Sequence, residues 1–282
     1  MPLPHLPASA HRLVAAVAAL TVLSLTACGS DADSVADVTP TTAAPGTSTT
    51  AAATTSTTEP DPASRSWIAN VRSEVGSIVI HDSPGGPQLQ LDTAGDGTVK
   101  PVAISNPLPS GAPATFLIAQ RAVEATGTLW HEVYLPVRPN GSTGWVADAD
   151  VVLTNTDMAA TIDLATHQLT LSKAGAVIAT YPVAAGEAAT PTPTGTFYVK
   201  ELVEPPKANG TYGPLAYGLS AFSPTLVDTE AFADGVIGIH GTNRPELIGS
   251  DVSHGCVRLR NEDVLDLERR QVPLGMPVTI TA

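Results

Sequence analysis

ATIDLATHQLTLSKAGAVIATYPVAAG, residues 160–186, alternates apolar and polar positions along most of its length. A period of two places successive side chains on opposite faces of an extended chain, so the pattern predicts β-strands rather than helices. Breaks at Thr166-His167 and Ala174-Gly175 predict two hairpin turns within the stretch. The segment therefore indicates a mainly β fold.

The residues that follow extend the β pattern. TPTPTGTFYVKELVE (190–204) predicts a Pro/Thr turn and then a strand, and GVIGIHG (235–241) predicts a buried strand that ends at His240. NEDVLDLERR (261–270) predicts a short helix capped by Asn261, with acidic residues in its first turn and arginines in its last. Residues 157–282 are expected to form one β domain with this helix.

A separate small β domain is expected over residues 66–156. Its short apolar runs are separated by turn signals such as SPGGP (83–87) and NGSTG (140–144), a spacing typical of a small barrel or sandwich. Asn140-Gly141 fits a tight hairpin turn, with Trp145 opening the next strand. We interpret His81 and His131, which lie in strand-like runs, as surface or packed histidines.

LWHEVYLPVRPNGSTGWVADADV (129–151) resembles the last hairpin of the bacterial SH3-like domains of cell-wall enzymes, which commonly ends in a Gly-Trp-Val strand. The resemblance implies an SH3-like β-barrel over 66–156. Two roles stay open for this region: binding of wall polymer or peptide, and service as a spacer that packs on the next domain.

The N-terminus predicts export. An apolar run, LVAAVAALTVLSL (13–25), follows His11 and Arg12; it is short for a membrane span and typical of a signal-peptide core. It ends in LTAC (25–28), which resembles a bacterial lipobox and implies a signal peptide over 1–28 ending at a lipidated Cys28. A plain secretory signal and an uncleaved anchor are the alternatives. A lipidated chain would be held at the outer face of the cytoplasmic membrane and would reach into the cell wall.

Residues 29–65 are dominated by Thr, Ala, Ser and Pro. Such a segment cannot bury enough apolar surface to offset the loss of chain entropy, so we expect a disordered tether. The whole chain has a formal net charge of −13 and lacks a Lys/Arg run. Nothing in this composition favours binding to nucleic acid.

Three reactive side chains lie in GIHGTNRPELIGSDVSHGCVRLRN, residues 238–261: His240, His254 and Cys256. A lipidated Cys28 would leave Cys256 without a disulfide partner, because the chain has two cysteines. A thiol attacks a carbonyl as the thiolate and needs a base, and imidazole is the usual one. On an extended strand His254 would share a face with Cys256, whereas His240 could reach it only through the fold.

Two other interpretations of this stretch stay open. The two histidines and the thiol are acceptable zinc ligands, but the His-Gly-Cys spacing is uncommon and no fourth ligand is evident. The second interpretation is a structural one, a buried cysteine beside two hydrogen-bonded histidines.

For a catalytic site, Gly241 and Gly255 allow close backbone approach, and the N–H groups of Gly255 and Cys256 are candidate oxyanion donors.

The stretch resembles the catalytic domain of the L,D-transpeptidase family, of the YkuD type, whose signature is a histidine, a loop and then Ser/Thr-His-Gly-Cys. GIHGT (238–242) and SHGCVRL (253–259) match its two parts, and TPTPTGTF (190–197) and YGPLAYGLS (212–220) are also family-like. The resemblance covers about residues 158–282 and implies a β-sandwich catalytic domain over 157–282.

The resemblance implies a role for each residue of the signature. Cys256 would be the nucleophile, His240 its base, and the main-chain carbonyl of Gly241 the group that orients the imidazole. The N–H groups around Gly255 and Cys256 would hold the oxyanion.

Further roles are implied around this centre. His254 and Ser253 would shape the loop that carries the thiol. Arg258 would suit a substrate carboxylate, and Tyr212 or Tyr217 would line the site of the acyl donor.

The implied reaction is peptidoglycan cross-linking. The thiol would form a thioester with a tetrapeptide stem, releasing D-alanine, and an amine of a second stem would resolve it as a 3→3 cross-link. The resemblance implies no metal or organic cofactor, and it implies acylation by carbapenem-type β-lactams. An L,D-carboxypeptidase with water as acceptor and a catalytically inactive wall-binding lipoprotein stay open, whereas a papain-like endopeptidase would place cysteine before histidine.

Overall fold

The computed structural model describes residues 65–226 and 235–282. The predicted signal peptide, Cys28 and nearly all of the predicted tether lie outside the described residues. All the described residues belong to one compact unit. The prediction of a mainly β fold with a short helix after Cys256 is confirmed.

The first β region, residues 66–156, contains nine strands. They are β1 (Ser66–Val71), β2 (Ser77–Val79), β3 (Gln90–Leu91), β4 (Lys100–Pro101), β5 (Ala103–Ser105), β6 (Thr115–Val123), β7 (Leu129–Tyr134), β8 (Thr143–Ala147) and β9 (Val151–Thr156). Five of them form a sheet in the order β8-β7-β6-β1-β9, and β2-β5 and β3-β4 form two short ladders. Whether this arrangement is SH3-like stays a prediction, as does a domain boundary at 156/157.

In the second β region, residues 157–282, the described residues form ten strands and one α-helix. They are β10 (Met158–Asp163), β11 (Gln168–Lys173), β12 (Ala176–Pro182), β13 (Ala185–Gly186), β14 (Gly195–Val203), β15 (Ala216–Phe222), β16 (Val236–His240), β17 (Asp251–Ser253), β18 (Val257–Arg258), α1 (Asn261–Arg269) and β19 (Pro277–Thr281). Eight strands form a sheet in the order β12-β11-β10-β19-β14-β15-β16-β18, and β13 pairs with β17.

The alternating stretch behaves as its pattern predicts. In β10 every second side chain, at Met158, Ala160 and Ile162, is buried in the core of the second β region. The two predicted hairpin turns contain residues with positive φ, His167 at 52° and Ala174 at 50°. Alternation therefore identified both the strands and the breaks between them.

Asn140-Gly141 forms the predicted tight turn: the Ser142 N–H donates to the Pro139 carbonyl at 3.2 Å, and Gly141 has a φ of 83°. The turn lies within a longer connection between β7 and β8, residues 135–142, and Trp145 lies in the middle of β8 rather than at its start. The side-chain amide of Asn140 also hydrogen-bonds the main chain of Phe222 in the second β region. The turn residue thus makes a tertiary contact as well.

Asn261 is not the cap of α1. Arg260 occupies the N-cap position without a side-chain hydrogen bond, and Asn261 is the first helical residue. Val264 and Leu267 are the buried residues of the helix and form its inner face. In the described part of the chain, no helix is both long enough and apolar enough to cross a membrane.

Two hydrophobic cores lie on either side of the 156/157 position. One is built from the second β region between Met158 and Ile280, and the other from the first. Tyr198 of β14 packs with the core of the first β region. Gly275 lies against Ile68, so closely that a Cβ there would come within 2.5 Å of that side chain. The two regions are thus in direct contact.

Candidate active site

Parallel pairing of β16 with β18 brings the signature residues together. Ile239 pairs with Val257 and His240 with Arg258, which places Cys256 beside Gly238 one step earlier in the register. Because side chains alternate along a strand, His240, Cys256 and Arg258 occupy the same face. The chain between β16 and β18 is the crossover that a parallel pair requires.

His240 is a buried, oriented imidazole. Its side chain is 2% exposed, and its Nδ1 lies 2.6 Å from the carbonyl oxygen of Gly241. A carbonyl oxygen only accepts, so Nδ1 donates and Nε2 carries the lone pair. Burial lowers the pKa of His240 to about 4, the hydrogen bond to Gly241 opposes that shift, and the charge of Arg258 adds to it. The imidazole is therefore neutral at neutral pH and able to accept a proton.

Cys256 is held by the backbone of β16. Its Sγ accepts a hydrogen bond from the Gly238 N–H at 3.4 Å and lies 3.9 Å from the carbonyl oxygen of Val236. Burial raises the pKa of the Cys256 thiol, while the Gly238 N–H and the charge of Arg258 act in the opposite direction. The resting pair is a neutral thiol and a neutral imidazole.

Ser253 closes the loop that carries the thiol, residues 253–256. Its Oγ donates to the Cys256 carbonyl oxygen at 2.5 Å and accepts from the Gly255 N–H at 3.1 Å. Gly255 has a φ of +112°, and a Cβ there would lie 2.8 Å from Ile237. In this arrangement the Gly255 N–H points to Ser253, which leaves the Cys256 N–H as the other predicted oxyanion donor.

Two buried threonines brace the same loop from the turn before β14. The Thr190 hydroxyl donates to the Ser253 carbonyl at 3.1 Å, and the Thr192 hydroxyl donates to the Gly255 carbonyl at 2.8 Å. Thr192 also accepts from the Gly186 N–H at 2.9 Å. The sequence shows these threonines only as part of a family-like segment, and their partners became evident only in the fold.

Asn261 fixes the chain that follows His240. Its Oδ1 accepts a hydrogen bond from the Thr242 N–H at 2.8 Å. It also packs against Gly241, where a Cβ would lie 2.3 Å from the amide oxygen. The carbonyl that orients the imidazole therefore belongs to a segment held by the first residue of α1. Sequence reasoning assigned this asparagine to helix capping.

The predicted roles of the two tyrosines separate in the structure. The Tyr212 ring meets the His240 ring edge-on, with centroids 4.8 Å apart, and its side chain is 43% exposed. Tyr217 is 1% exposed and belongs to the core of the second β region. Its predicted place at the donor site is corrected: in β15 its side chain points into the core.

Two cavities meet at the thiol. The thiol cavity, of about 200 Å³, is lined by Thr211, Tyr212, Ser223, Leu226, Gly235, Val236, Ile237, His240, Ser253, His254, Cys256 and Arg258. The apolar cavity, of about 310 Å³, is lined by Val203, Pro205, Pro206, Tyr212, Ala216, Gly218, Val236, Gly238, His240 and Cys256. His240 and Cys256 border both, so the reactive pair is reached from two sides.

Arg258 brings a positive charge into the thiol cavity. Its Nε is buried and has no hydrogen-bond partner among residues 65–226 and 235–282. His254, the other histidine of the signature, is exposed and borders the same cavity.

Over the same described ranges, no group of three or more His, Cys, Asp and Glu side chains is arranged to hold a metal ion. The zinc interpretation therefore gains no geometric support.

Comparison with known sequences gives a family match for the second β region. Residues 157–280 match the YkuD family, the L,D-transpeptidase catalytic domain. The YkuD protein of Bacillus subtilis (strain 168) is 40% identical over 119 residues, 42% of this chain and 63% of that protein. The YkuD protein of Bacillus licheniformis is 38% identical over 120 residues, 43% of this chain and 63% of that protein. The chain thus spans less than two thirds of the length of either relative.

Solved structures give more distant matches. An L,D-transpeptidase of Enterococcus faecium is 26% identical with a TM-score of 0.34, covering 44% of this chain and 49% of that one. L,D-transpeptidase 3 of Mycobacterium tuberculosis, in complex with a faropenem-derived adduct, is 15% identical with a TM-score of 0.36, covering 55% and 91%. The sequence match over 157–280 carries the conclusion: this part of the chain is similar to the L,D-transpeptidase catalytic domain of the YkuD family.

Proposed function

We propose that this protein is a peptidoglycan L,D-transpeptidase that forms 3→3 cross-links between stem peptides. The observation that carries the proposal is the convergence of His240 and Cys256 at the meeting point of two cavities, within a domain of this family. A transpeptidase needs a nucleophile, a base and room for two peptides, and this geometry supports all three.

The first half-reaction is acylation of the thiol. Cys256 Sγ attacks the carbonyl carbon at the L-configured centre of a tetrapeptide stem, and the thiol proton passes to His240 Nε2. The C–N bond to the terminal D-alanine then breaks, and His240 returns the proton to the leaving amine. The products are a thioester on Cys256 and free D-alanine.

The second half-reaction is aminolysis of the thioester. An amine of a second stem attacks the thioester carbonyl, His240 takes a proton from that amine, and the thiol is regenerated as the new amide forms. Because the reactive pair borders two cavities, one cavity suits the acylated stem and the other suits the incoming amine. This two-sided access supports the transpeptidase over a carboxypeptidase.

Three further groups around the reactive pair are proposed to contact the substrate. Arg258 lines the thiol cavity, where its guanidinium is proposed to give a substrate carboxylate a charge-assisted hydrogen bond. The Cys256 N–H is the donor proposed for the oxyanion that forms on the attacked carbonyl. Tyr212, packed on His240, is proposed to cover the donor stem.

The same thiol is proposed to react with carbapenem-type β-lactams. Such a compound presents a strained carbonyl to the nucleophile, and acylation of Cys256 would open its ring without a leaving group. The thioester would then block the site for stem peptides. Mass spectrometry of the protein after incubation with imipenem tests this, with a stable adduct on Cys256 expected.

The proposed function has a direct test. A form lacking residues 1–64 is incubated with disaccharide-tetrapeptides, and the products are analysed by mass spectrometry beside a Cys256→Ala control. Cross-linked dimers are expected from the wild-type sequence. Tripeptides without dimers would assign the L,D-carboxypeptidase activity instead, and unchanged substrate with folded protein would contradict both enzymes.

We also propose that Cys28 is lipidated and holds the protein at the outer face of the cytoplasmic membrane. The support is the LTAC sequence after the apolar run at 13–25. Cys28→Ser is expected to move the protein from the membrane fraction to the soluble fraction. Unchanged membrane association of that variant would show that another segment holds it.

A further inference from the structure

The first β region contacts one side of the thiol cavity. Ser223, Leu226 and Gly235, which we call the cavity wall, line that cavity together with Cys256. The wall begins directly after Phe222, the last residue of β15. Its position therefore depends on what holds Phe222 and the residues that follow.

Arg138, in the connection between β7 and β8, binds the wall directly. Its Nη2 donates to the Ser223 carbonyl at 3.2 Å and to the Leu226 carbonyl at 2.8 Å. The centre of its guanidinium also lies 4.7 Å from the centroid of the Phe222 ring. Charge-assisted donation to two carbonyls, with stacking on an aromatic ring, fixes a planar group strongly.

Asn140, two residues later, pairs with the main chain of Phe222. Its Nδ2 donates to the Phe222 carbonyl at 2.7 Å, and its Oδ1 accepts from the Phe222 N–H at 2.9 Å. On the opposite side Phe222 is in register with Val236 of β16. The amide of Asn140 thus takes the place of a neighbouring strand at the end of β15.

The wall itself is tightly packed. The Ser223 N–H donates to the Gly235 carbonyl at 2.7 Å. Gly235 has a φ of +64°, and a Cβ there would lie 2.2 Å from the Leu226 carbonyl oxygen and 2.7 Å from Nη2 of Arg138. A small movement of Arg138 would therefore be transmitted to the side of the cavity.

We propose that Arg138 and Asn140 are positioning residues for the reaction at Cys256, through which the first β region sets the shape of the thiol cavity. The inference rests on the proposed function, since it assigns the cavity to a substrate. It gives the first β region a task that is neither wall binding nor spacing. The contacts that hold the reactive pair, from Gly238 and Gly241, are made within the second β region. Loss of Arg138 or Asn140 should thus weaken substrate binding more than thiol reactivity.

The test compares Arg138→Met and Asn140→Ala with two controls in the full chain. Ser142→Ala changes the same connection, where the Ser142 hydroxyl donates to the nearby Pro139 carbonyl. Ser110→Ala alters another point where the two regions meet, since the Ser110 hydroxyl helps to lower the pKa of the Glu201 carboxyl. For each protein, kcat and KM with a disaccharide-tetrapeptide are measured, with the rate of Cys256 alkylation by iodoacetamide, the Tm, and hydrogen exchange of the peptide spanning 222–226.

In the two test variants we expect faster hydrogen exchange at 222–226. We also expect KM to rise about tenfold, because a displaced cavity wall no longer fits the substrate. The alkylation rate should stay within about twofold of wild type, as the thiol keeps its partners. Both controls should keep the wild-type KM and exchange.

Two results would overturn the proposal. One is faster exchange at 222–226 with an unchanged KM. The other is a raised KM together with a lower alkylation rate and a lower Tm, which marks a purely structural role. If the wild-type protein turns over no stem peptide, the proposed function fails separately. The rate of Cys256 acylation by imipenem then replaces KM: slower acylation in the two variants alone supports the positioning role, and equal rates refute it.

Discussion

The hydroxyl of Thr192 donates a 2.8 Å hydrogen bond to the carbonyl oxygen of Gly255, across 63 residues of sequence. That carbonyl belongs to the peptide bond that leads into Cys256. Since the same hydroxyl accepts the Gly186 N–H, one oxygen joins two backbone segments at the nucleophile. The orientation of the Cys256 N–H, the proposed oxyanion donor, is fixed by this peptide.

Thr192→Val is expected to lower both stability and kcat/KM. The variant keeps the side-chain volume but leaves the buried Gly255 carbonyl and the part-buried Gly186 N–H without their partner, at about 1–3 kcal/mol of unfolding free energy. Thr192→Ser restores the hydroxyl and should recover most of both. Urea unfolding and steady-state kinetics measure the two effects. Thr180→Val, at an exposed position of β12, is the control, and a valine variant as active as this control would refute the role.

Asn261→Ala is expected to reduce kcat/KM about tenfold, because the Thr242 N–H loses its acceptor and the carbonyl of Gly241 loses its support. Asn261→Asp keeps an acceptor oxygen and places a negative charge in the first turn of α1, where the helix dipole favours it. Its activity should lie near that of wild type. Asn243→Ala, at an exposed position of the same loop, serves as the control. Equal activity of the Ala and Asp variants would show that the acceptor is unimportant.

The pH dependence should reveal a neutral resting pair. Because burial raises the pKa of Cys256, its alkylation by iodoacetamide should keep rising above pH 9. Because catalysis needs neutral His240, whose pKa is about 4, kcat/KM should fall only as the pH drops through that value. A thiolate–imidazolium pair would instead give an alkylation plateau at neutral pH, contradicting this description.

Arg258→Gln extends the pH experiment. The charge of Arg258 lowers the pKa of both His240 and Cys256, so its removal should raise both. The acid limb of kcat/KM would then move to higher pH, and alkylation at a fixed pH would slow. Acid limbs that coincide in the two proteins would show that this charge does not reach the imidazole.

The two histidines should differ in importance. Cys256→Ala is expected to abolish thioester formation and His240→Ala nearly to abolish it, since His240 is the buried imidazole oriented by Gly241. His254→Ala should retain more activity, because that side chain is exposed at the edge of the thiol cavity. Intact-protein mass spectrometry of the acylated enzyme gives the ranking, and the reverse order of the two histidines would show that the base is wrongly assigned.

Local sequence predicted those features that local physics decides. Alternation at 160–186 gave the strands and turns around His167 and Ala174, because a period of two is a property of the extended chain itself. The predictions for Asn261 and Tyr217 were wrong for a shared reason. Each depends on what lies across the fold: Thr242 for the asparagine, and the core of the second β region for the tyrosine.

The sequence by itself determined the β class, the short helix after the thiol, and a reactive set of His240, His254 and Cys256. Residue spacing alone could not rank His254 below His240, because it favours the nearer histidine, and that ranking came from the family resemblance. Only the parallel pairing of β16 with β18 places His240 and Cys256 on one face beside Gly238. Strand register and buried hydrogen bonds join residues far apart in the chain, and these contacts exist only once the backbone has folded.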